Sequence, residues 1–476
     1  MKNIYSVVVG EDFNTQMLDH LIRADGQEDL MFATYCPSSG SNRLTGIISS
    51  IILPNEGDRL VHGNVEFYPH YLERALKIAS ERKEGLVFIH SHPFPGWQSM
   101  SEADVVAETR ISPTVFGATG LPLIGMTTGC DGTWSSRFWE KNTKVKRTYN
   151  RHWCSSVRVT GKGLKVYFNN EILKPRFDAE KQLRTISAWG TRTQEDISRL
   201  KVGIVGLGSV GSIVAEILSR TGFSFFTLID FDGVEKKNLD RTLGTYNEDV
   251  GNAKVKTIAN SIRKSGTSPN IVIEECESSI CEEAGYKEAL DCDFIFSCVD
   301  RPWPRQILNF ISYAHLIPVI DGGIKVRTNK SNTKLVGSDW RAHTVGYGKV
   351  CLECIGQFQS EFAKLESDGY LDDPEYIEGS NVHLPNEFNE NVFPFSAHLA
   401  AMEVLQALSV LITPSGIADV GQQNYHFVTG SMDIERGHCE DNCFYSSIVG
   451  KGDTLGLKPF GRHKVAEAAR SKRKKS

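Results

Sequence analysis

The sequence predicts an α/β protein of two domains, the second of which is a Rossmann-like, doubly wound domain. First, 476 residues are too many for a single ordinary core. Second, residues 1–145 mix strand-like and helical stretches, as a compact α/β domain does. Third, strand-like and helical segments alternate over residues 176–455, which is typical of βα units around a parallel sheet. We expect residues 146–175 to form a linker with a short strand, KVYF, and residues 456–476 to form a basic tail.

The composition is typical of a soluble globular protein, with 40% hydrophobic and 23% charged residues. A formal net charge of −5 gives no reason to expect a nucleic-acid or membrane partner. The chain reaches Glu11 and Asp12 before a signal-peptide core can form, and no apolar run approaches the ~20 residues that span a bilayer. We therefore expect a cytoplasmic protein whose eleven cysteines are thiols or metal ligands.

The first domain contains local patterns for a helix, a strand and a hairpin. Apolar residues recur at helical spacing at Leu72, Ala75, Leu76 and Ala79. The run GLVFIHSH at residues 85–92 predicts a short apolar strand that ends in polar groups. The runs LIGMTTG and TWSSRFW are joined through Asp131-Gly132, a pair that predicts a hairpin turn.

The second domain contains five apolar runs with the length of buried strands. They are KVGIVGLG, FFTLIDFD, NIVIEEC, DFIFSCVD and IPVIDGG. Helical patterns separate them, one near residues 253–264, and a strong helix is predicted from Ser396 to Leu411. The polar, acidic stretch 358–390 predicts a long loop.

His90 and His92 stand two residues apart at the end of the first domain's apolar strand, so both side chains leave the same face. Two imidazoles on one face suit a single metal ion, and Asp104 supplies a third ligand if its predicted helix packs beside the strand. This set leaves a fourth position for water, as in a catalytic zinc site where water ionises near pH ~7. Each feature also has a simpler explanation: a His-x-His pair occurs by chance, and Ser101-x-x-Asp104 is also a helix capping box.

The combined spacing of His90-Ser-His92-Pro, Ser101 and Asp104 reproduces the motif of the JAMM (MPN-plus) metalloproteases, and residues 1–140 resemble that family, which includes deubiquitinases. The resemblance implies a cytidine-deaminase-like α/β fold and a zinc-dependent isopeptidase.

The same resemblance implies a general-base glutamate on an upstream strand. Glu28, in GQEDLMFATY, matches that place, with Asp29 as the alternative. Glu28 would take a proton from the attacking water and return it to the leaving amine. Ser101 would donate a hydrogen bond to the tetrahedral oxyanion.

A glycine motif opens the second domain. Gly206-x-Gly208-x-x-Gly211 follows a predicted strand and begins a helix, so backbone N–H groups there can hold phosphate. Alone, this motif fits any dinucleotide-binding Rossmann domain. Asp230, at the end of the next strand, fits a ribose contact in either case.

The polar residues that follow separate a nicotinamide enzyme from an adenylating one. They are Asp232, Asn238, Arg241, Lys254 and Asp300. A plain NAD oxidoreductase does not need Arg and Lys directed at a triphosphate or a carboxylate placed for magnesium. An adenylating enzyme does, because it must neutralise the pyrophosphate that leaves when a carboxylate attacks the α-phosphate. Taken singly, Asn238 is also explained as a helix cap, and Arg241 and Lys254 as surface charges.

This set resembles the ThiF/MoeB and ubiquitin-activating superfamily over residues 176–450. The resemblance implies that Asp230 binds the ribose of ATP, with Asp232 beside it in the nucleotide site. It implies that Asn238, Arg241 and Lys254 hold the phosphates and that Asp300 binds magnesium, so that the last three act catalytically.

The segment before the glycine loop departs from the superfamily pattern, which usually carries an arginine finger in a motif like Arg-Phe-Asp-Arg-Gln-Leu. Here it reads Arg176-Phe-Asp-Ala-Glu-Lys181-Gln-Leu-Arg184, with two residues inserted and Lys181 at the expected arginine. Arg176, Lys181 and Arg184 all remain open as the replacement.

Cys351-x-x-Cys354 and Cys439-x-x-x-Cys443 form a split set of four thiols that suits a structural zinc ion, although two ordinary pairs are the alternative. The second pair is one residue wider than is usual in the superfamily. No cysteine lies between Cys354 and Cys439, where full ubiquitin-activating enzymes carry their thioester-forming nucleophile. The resemblance therefore implies a reaction that stops at the acyl-adenylate or continues on a cysteine of another protein. Cys298, on an apolar strand, is expected in the core.

Together the two resemblances imply a bifunctional enzyme. It would adenylate, with ATP and magnesium, a ubiquitin-like or sulfur-carrier protein that ends in an exposed glycine, and it would cleave (iso)peptide bonds of the same modifier. The expected context is a bacterial ubiquitin-like conjugation system, some of which are linked to antiphage defence, with a conjugating enzyme as a further partner and a homodimer as the assembly. The alternatives are a biosynthetic enzyme that activates and processes a sulfur carrier, and a nucleotide-binding scaffold with an inactive adenylation site.

Overall fold

The structure is a computed structural model that describes residues 4–62, 64–146, 148–329, 331, 334–372 and 391–474. The chain divides into two compact units. Unit 1 consists of Met1–Lys174, Ala314–Leu316 and Ile448–Leu457, and unit 2 consists of Pro175–Tyr313, Ile317–Ser447 and Lys458–Ser476.

Unit 1 is a mixed sheet flanked by helices. Its strands are β1 (Ile4–Gly10), β2 (Leu30–Ser39), β3 (Arg43–Ile52), β4 (Arg59–His62), β5 (Asn64–Phe67), β6 (Gly85–Ser91), β7 (Leu123–Thr128), β8 (Trp134–Lys141), β9 (Tyr149–Trp153), β10 (Ser156–Thr160) and β11 (Leu164–Phe168). Its helices are α1 (Glu11–Leu21), α2 (Pro69–Arg82), α3 (Glu102–Thr119) and a 3-10 turn, Gly452–Leu455.

The main sheet of unit 1 has the order β11-β10-β1-β3-β2-β6-β7-β8-β9, while β4 and β5 form a separate ribbon. β6 lies between β2, to which it is antiparallel, and β7, to which it is parallel. Every residue of β6 is buried, because hydrophobic clusters cover both faces of the sheet. The register pairs Leu30, the first residue of β2, with His90 near the end of β6. The residues just before β2 therefore lie beside the two histidines.

Unit 2 combines parallel and antiparallel strands in one sheet. Its strands are β12 (Lys201–Val205), β13 (Phe225–Ile229), β14 (Val272–Cys276), β15 (Phe294–Ser297), β16 (Val319–Thr328), β17 (Leu335–Val345), β18 (Gln422–His426) and β19 (Ser431–Glu435). Its described helices are α4 (Leu183–Trp189), α5 (Thr191–Ile197), α6 (Gly211–Thr221), α7 (Lys254–Ser265), α8 (Glu283–Leu290), α9 (Pro302–Ala314), α10 (Ser360–Asp368), α11 (Phe393–Ile412), α12 (Phe444–Ser447), α13 (Lys464–Arg473) and short 3-10 turns at Lys236–Asn238, Asn247–Asp249, Tyr370–Asp372 and Pro414–Gly416.

The sheet of unit 2 has the order β14-β13-β12-β15-β16-β17-β18-β19. The first five strands in this order are parallel, and β16 to β19 pair antiparallel. Chain order reverses between β12 and β15, which makes the carboxyl ends of these strands the expected ligand site of an open α/β sheet. The Rossmann-like α/β architecture predicted for this part of the chain is confirmed.

Most predicted elements are present. The helix around Leu72 is α2, the hairpin at Asp131-Gly132 joins β7 to β8, and the strong helix after Ser396 is α11. The five apolar runs of the second domain are the parallel strands β12 to β16, and the strand KVYF lies in β11.

Three segments that were expected to lack regular structure differ from that expectation. β9, β10 and β11 lie within residues 146–175, and they extend the sheet of unit 1 rather than forming a linker. β11 contains the predicted strand KVYF, whereas β9 and β10 were not predicted, because this stretch is basic and irregular in pattern and β10 pairs with β1 at the start of the chain. The predicted loop 358–390 contains α10, while residues 373–390 lie outside the described residues. The predicted tail 456–476 contains α13, whose basic residues pair with acidic groups of unit 2.

Within the described residues, α11 is long and apolar enough, by length and composition alone, to cross a membrane, which the sequence prediction did not anticipate. More than half of it is buried inside the protein, and it packs against β16, β17 and α6. It also carries the fully buried Glu403. These contacts are those of a core helix that covers a sheet.

Candidate metal site and nucleotide cleft

His90, His92 and Asp104 converge in unit 1. The two Nε2 atoms of the histidines are 3.1 Å apart, and each lies 3.3 Å from one carboxylate oxygen of Asp104. His90 is the second-last residue of the buried strand β6, and Asp104 lies in the first turn of α3. The three side chains are largely shielded, with exposures of 4%, 12% and 16%. The structure thus brings together the three ligands predicted from sequence.

The donor spacing fits zinc. A tetrahedral zinc ion with ligands at about 2.0–2.1 Å places neighbouring donor atoms about 3.3 Å apart. The observed separations are close to that value: 3.1 Å between the two Nε2 atoms, 3.3 Å from His90 Nε2 to Asp104 Oδ1, and 3.3 Å from His92 Nε2 to Asp104 Oδ2. Two imidazole nitrogens and one carboxylate also form the donor set of catalytic zinc sites that keep one position for water.

Ser101 is the N-cap of α3, and it aims Asp104. The Ser101 hydroxyl accepts a hydrogen bond from the Asp104 backbone N–H at 3.1 Å, and the Ser101 N–H donates to Asp104 Oδ2 at 2.7 Å. The capping-box explanation is therefore correct. It is compatible with the metal hypothesis, because the same box orients the carboxylate toward the histidines, and the Ser101 hydroxyl keeps its own proton to donate.

Glu28 and Asp29 occupy different environments. Asp29 is buried, and its carboxylate is held by Arg59 and Arg23, so it serves an ion-pair cluster. Glu28 is half-buried and interacts electrostatically with His90, His92 and Asp104. Burial raises the pKa of Glu28, with Asp104 adding to the rise while His92 and His90 oppose it. Of the two alternatives for a general base, Glu28 is the one whose carboxylate is available.

A buried polar network backs the metal site, and sequence reasoning missed it. Arg137 and Glu108 are both fully buried and form an ion pair, and Trp139 also donates to Glu108. Arg137 also donates to Thr127 Oγ1 at 2.7 Å, and that hydroxyl lies 3.5 Å from His90 Nε2. No local sequence motif indicates these residues, because Glu108 lies on α3 and Arg137 and Trp139 lie on β8, and only the packing of α3 on the sheet brings them together.

In unit 2 the glycine loop lies between β12 and α6. Gly206 has φ +87°, and a Cβ there would lie 2.5 Å from the Cys298 carbonyl oxygen. A Cβ at Gly211 would lie 1.9 Å from the Gly206 carbonyl oxygen, so α6 could not begin so close to the loop. A Cβ at Gly208 would meet nothing within 4 Å, which leaves that side of the loop open to a ligand.

Asp230 and Lys254 lie next to this loop. The Asp230 carboxylate accepts hydrogen bonds from the backbone N–H groups of Leu207 at 2.6 Å and Asp232 at 2.7 Å. Lys254 Nζ lies 3.0 Å from Asp232 Oδ2. Burial lowers the pKa of Lys254, but Asp230 and Asp232 outweigh it, with help from Asp300, so its pKa is raised and it stays charged.

Asn238 and Arg241 make local contacts. Asn238 Oδ1 accepts a hydrogen bond from the Glu235 N–H at 3.0 Å, so its predicted alternative as a cap is correct. Arg241 donates to the Lys237 carbonyl oxygen and to Asp240, at 2.9 and 3.0 Å. Both side chains still face the cleft described next.

One cleft of about 2000 Å³ collects the predicted nucleotide residues. Those that line it are Gly206, Gly208, Asp230, Asp232, Asn238, Arg241, Lys254 and Asp300. Gly211 does not line the cleft, because it packs closely against the Gly206 carbonyl oxygen. A single drug-sized ligand needs about 300–1,000 Å³, so the cleft has room for a nucleotide and part of a second substrate.

The three residues left open as the arginine finger do not line this cleft in the part of the chain that the structure describes. Arg176 stacks on Phe225 at the amino end of β13 and donates to the Asn270 carbonyl oxygen. Lys181 pairs with Asp178, and Arg184 is exposed. The inserted segment therefore packs at the strand ends opposite the glycine loop.

Cys351, Cys354, Cys439 and Cys443 also converge, with their four sulfur atoms within 4.8 Å of one another. The Sγ atoms of Cys351 and Cys443 are 3.7 Å apart, close to the ~3.8 Å edge of a tetrahedral site with Zn–S bonds of ~2.3 Å. A hydrogen bond from the Cys351 thiol lowers the pKa of Cys439 to about 5. This set could hold a metal, and the extra residue in the second pair does not separate the ligands.

The part of unit 2 that forms the cleft matches a known family. The model of the ThiF family matches residues 179–441, more than half of the chain. The chain belongs to the ThiF family. The family match begins after the histidine cluster, which rests on its own motif and geometry.

Other ThiF-like sequences align over shorter stretches. Ubiquitin-like modifier-activating enzyme 5 of Drosophila mojavensis is 32% identical over 130 residues, 24% of this chain and 32% of that protein. Molybdopterin-synthase adenylyltransferase of Escherichia coli K12 is 26% identical over 170 residues, 36% and 64% of the two chains. The SAMP-activating enzyme E1 of Haloferax volcanii is 26% identical over 135 residues, 28% and 49%. The chain thus spans about a third to just under two-thirds of the length of these relatives.

Among solved structures, E. coli MccB with ATP has 19% identity and a TM-score of 0.41, covering 56% of this chain and 76% of that one.

The ThiF cleft also contains residues that sequence reasoning did not single out for it. Asn391 donates to Ser209 in the glycine loop at 3.0 Å. Cys298, expected in the core, lines the cleft beyond the end of β15, with its sulfur 3.7 Å from Glu403 Oε2. The sequence did not indicate Asn391 because it adjoins a weakly patterned stretch, just before α11. Cys298 comes directly after the apolar strand β15, so the sequence pattern alone cannot show that it lies at the cleft rather than in the core.

Proposed function

We propose that unit 2 adenylates the C-terminal carboxylate of a ubiquitin-like or sulfur-carrier protein with ATP. The observation that carries this proposal is the convergence of Lys254, Arg241, Asp230 and Asp300 on one cleft beside the glycine loop. The names of the relatives, which describe modifier-activating enzymes and an adenylyltransferase, support the same reaction.

The reaction needs little beyond positioning and charge. The partner's carboxylate oxygen attacks the α-phosphorus, the bond from that phosphorus to the bridging oxygen breaks, and pyrophosphate leaves. Lys254 and Arg241 would exchange their contacts with Asp232 and Asp240 for phosphate oxygens. Asp230 would accept from the ribose hydroxyls. A magnesium ion held by Asp300 would neutralise further phosphate charge.

Acyl-adenylate formation tests this proposal. The purified chain is incubated with candidate ubiquitin-like partners that end in glycine, ATP and magnesium, and acyl-AMP is measured by mass spectrometry. We expect adenylate with a cognate partner, and none with Asp300→Ala. An adenylate yield that survives loss of Asp300 would remove that residue from the site. Absence of ATP–pyrophosphate exchange with every partner would favour the alternative of a nucleotide-binding scaffold.

We further propose that unit 1 hydrolyses (iso)peptide bonds of the same modifier. The specific observation in its favour is the fit of His90, His92 and Asp104 to a zinc ion, with Glu28 beside them. Zinc at this site would supply water that ionises near pH ~7. Glu28 would accept the proton of the attacking water and pass it to the leaving amine, and the Ser101 hydroxyl would donate to the oxyanion.

Cleavage of the modifier fused through its C-terminal glycine to a reporter tests the second activity. We expect cleavage by the zinc-loaded chain and by Asp300→Ala, and no cleavage by His92→Ala. If His92→Ala cleaves at the wild-type rate, unit 1 is not the hydrolase.

We place the protein, as a proposal, in the cytoplasm and in a bacterial ubiquitin-like conjugation system, with a conjugating enzyme as partner and a homodimer as assembly. The cysteine cluster would hold a structural zinc ion. A biosynthetic sulfur-carrier system is the alternative, and transfer of the activated acyl group to a sulfurtransferase rather than to a conjugating enzyme would favour it.

A further inference from the structure

The helix α13 lies outside the matched family region, and it docks beside the cleft. His463, just before the helix, and Val465, in its first turn, both line the cleft. His463 is 7% exposed and packs edge-on against Phe231, whereas the apolar Val465 is 41% exposed. An exposed apolar side chain in the wall of a cleft is a surface that a bound ring would cover.

Two arginines of α13 fasten it to two different loops. Arg473 donates to the Phe231 carbonyl oxygen at 2.6 Å, in the loop after β13. Arg470 binds both carboxylate oxygens of Glu282, at 2.6 and 2.7 Å, and reaches the Glu277 carbonyl oxygen after β14. Bidentate, partly buried pairs of this kind are among the stronger ion pairs.

The same contacts order the cleft wall. Glu282 also accepts from the Ser279 N–H at 2.8 Å, and Ser279 lines the cleft with its neighbours Ser278 and Ile280. The segment leading into the helix is held as well, because the Gly461 N–H donates to the Cys281 carbonyl oxygen at 2.8 Å. The helix therefore bridges the loops after β13 and β14.

The strand order indicates which part of a bound nucleotide this wall would contact. The glycine loop follows β12, Asp230 follows β13, and the next strand outward is β14. If phosphates lie at the glycine loop and the ribose at Asp230, as the proposed function requires, a base extended in the same direction lies over the end of β14. Phe231, Ser279, His463 and Val465 surround that place.

We infer that α13 and His463 form the outer wall of the base-binding pocket, so that nucleotide binding and docking of α13 are coupled. A helix of ten residues is marginal on its own in water, so its order depends on docking. Coupling is reciprocal: if the docked helix favours the nucleotide, the nucleotide favours the docked helix to the same degree.

The test compares ATP with inorganic tripolyphosphate, which has the phosphates but neither ribose nor base. Binding to the full chain with magnesium is measured by calorimetry for the wild type and for the double variant Arg470→Ala/Arg473→Ala. The matched control is Arg462→Ala, from the same segment, whose side chain is 74% exposed and pairs with Glu467. We expect the double variant to bind ATP about tenfold or more weakly, to bind tripolyphosphate as the wild type does, and the control to match the wild type for both.

The outcomes separate this inference from the proposed function on which it rests. A wild type that binds neither ligand refutes the nucleotide site itself. A wild type that binds ATP while the double variant binds it equally well overturns the role of α13. Equal loss of ATP and tripolyphosphate also overturns it, because the helix would then support the whole site rather than its base end.

Hydrogen exchange of the wild type gives a second measurement that needs no variant. ATP should slow amide exchange in Lys464–Arg473 and in the loop at Ser279, and tripolyphosphate should not. Unchanged exchange in α13 at saturating ATP contradicts the coupling.

Discussion

In unit 1 the side chains of the candidate site direct their donor atoms at one small space, whereas in unit 2 the cations of the cleft are paired with carboxylates. His90, His92 and Asp104 leave their donor atoms 3.1–3.3 Å apart, ready for a small ion. Lys254 is paired with Asp232, and Arg241 with Asp240. The capping box of Ser101 orients Asp104 in advance, while the buried ammonium of Lys254 would be costly if it were not paired with Asp232.

The first prediction tests whether the site of His90, His92 and Asp104 works independently of the cleft in unit 2. Glu28→Gln removes the proposed proton acceptor without removing a metal ligand. We expect hydrolysis of a modifier fusion to fall about 10²–10⁴-fold, with zinc content and adenylate formation unchanged. The matched control is Glu102→Gln, an exposed carboxylate next to Ser101, which should keep wild-type hydrolysis. A Glu28→Gln variant as active as the control would exclude Glu28 from proton transfer.

The second prediction tests the paired cations of the cleft. Lys254→Ala removes the buried ammonium, and we expect adenylate formation to fall about 10²–10³-fold because charge on the leaving pyrophosphate loses its partner. Hydrolysis by unit 1 should stay at the wild-type rate. Lys264→Ala, an exposed lysine at the end of the same helix, is the control. Equal adenylation by both variants would mean that Lys254 serves only its ion pair with Asp232.

The same contrast explains what the sequence could reveal. The histidine motif was found because its ligands lie within fifteen residues, on one strand end and one helix start. In the cleft, the glycine loop, Asp230 and Asp300 were found because they follow strands of a regular βα series, and Asn238, Arg241 and Lys254 were found through the superfamily pattern. Arg473 meets the loop of Phe231 across 242 residues, and its basic surroundings gave no helical or binding signal, so α13 was assigned to a tail. Arg137 and Glu108 were missed for the same reason, since two isolated charged residues do not predict a buried pair.

The third prediction concerns the cluster of four cysteines, which also converge but take no part in either proposed reaction. Cys443→Ser removes one of four convergent sulfur ligands. We expect the zinc content to fall by one ion per chain and unit 2 to lose about 4 kcal/mol of stability, because metal binding contributes directly to folding. Metal analysis and urea unfolding check both. Cys130→Ser, an exposed thiol of unit 1, should change neither. Unchanged zinc content in Cys443→Ser would make the four cysteines ordinary thiols.

The fourth prediction concerns His343, where burial outweighs the opposing effect of the nearby carboxylates of Asp321 and Asp419 on the pKa of the imidazole. His343 is buried in β17, and its Nε2 lies 2.9 Å from the Val350 carbonyl oxygen. Burial lowers the pKa of His343 to about 4, with Arg341 adding to the fall and the Val350 contact opposing it.

Because the folded-state pKa of His343 lies below the unfolded value of about 6.5, the unfolded chain binds more protons between these values, and stability falls as the pH drops through that window. We expect unit 2 to lose about 2 kcal/mol between pH 7 and pH 5 through this group. His343→Gln keeps a donor for Val350 but does not titrate, so its loss should be smaller by that amount. Urea unfolding with pulse labelling, which resolves β17 from unit 1, measures the difference. If wild type and variant lose the same stability, His343 is not the group that senses pH, and the acid sensitivity of unit 2 lies in its carboxylates.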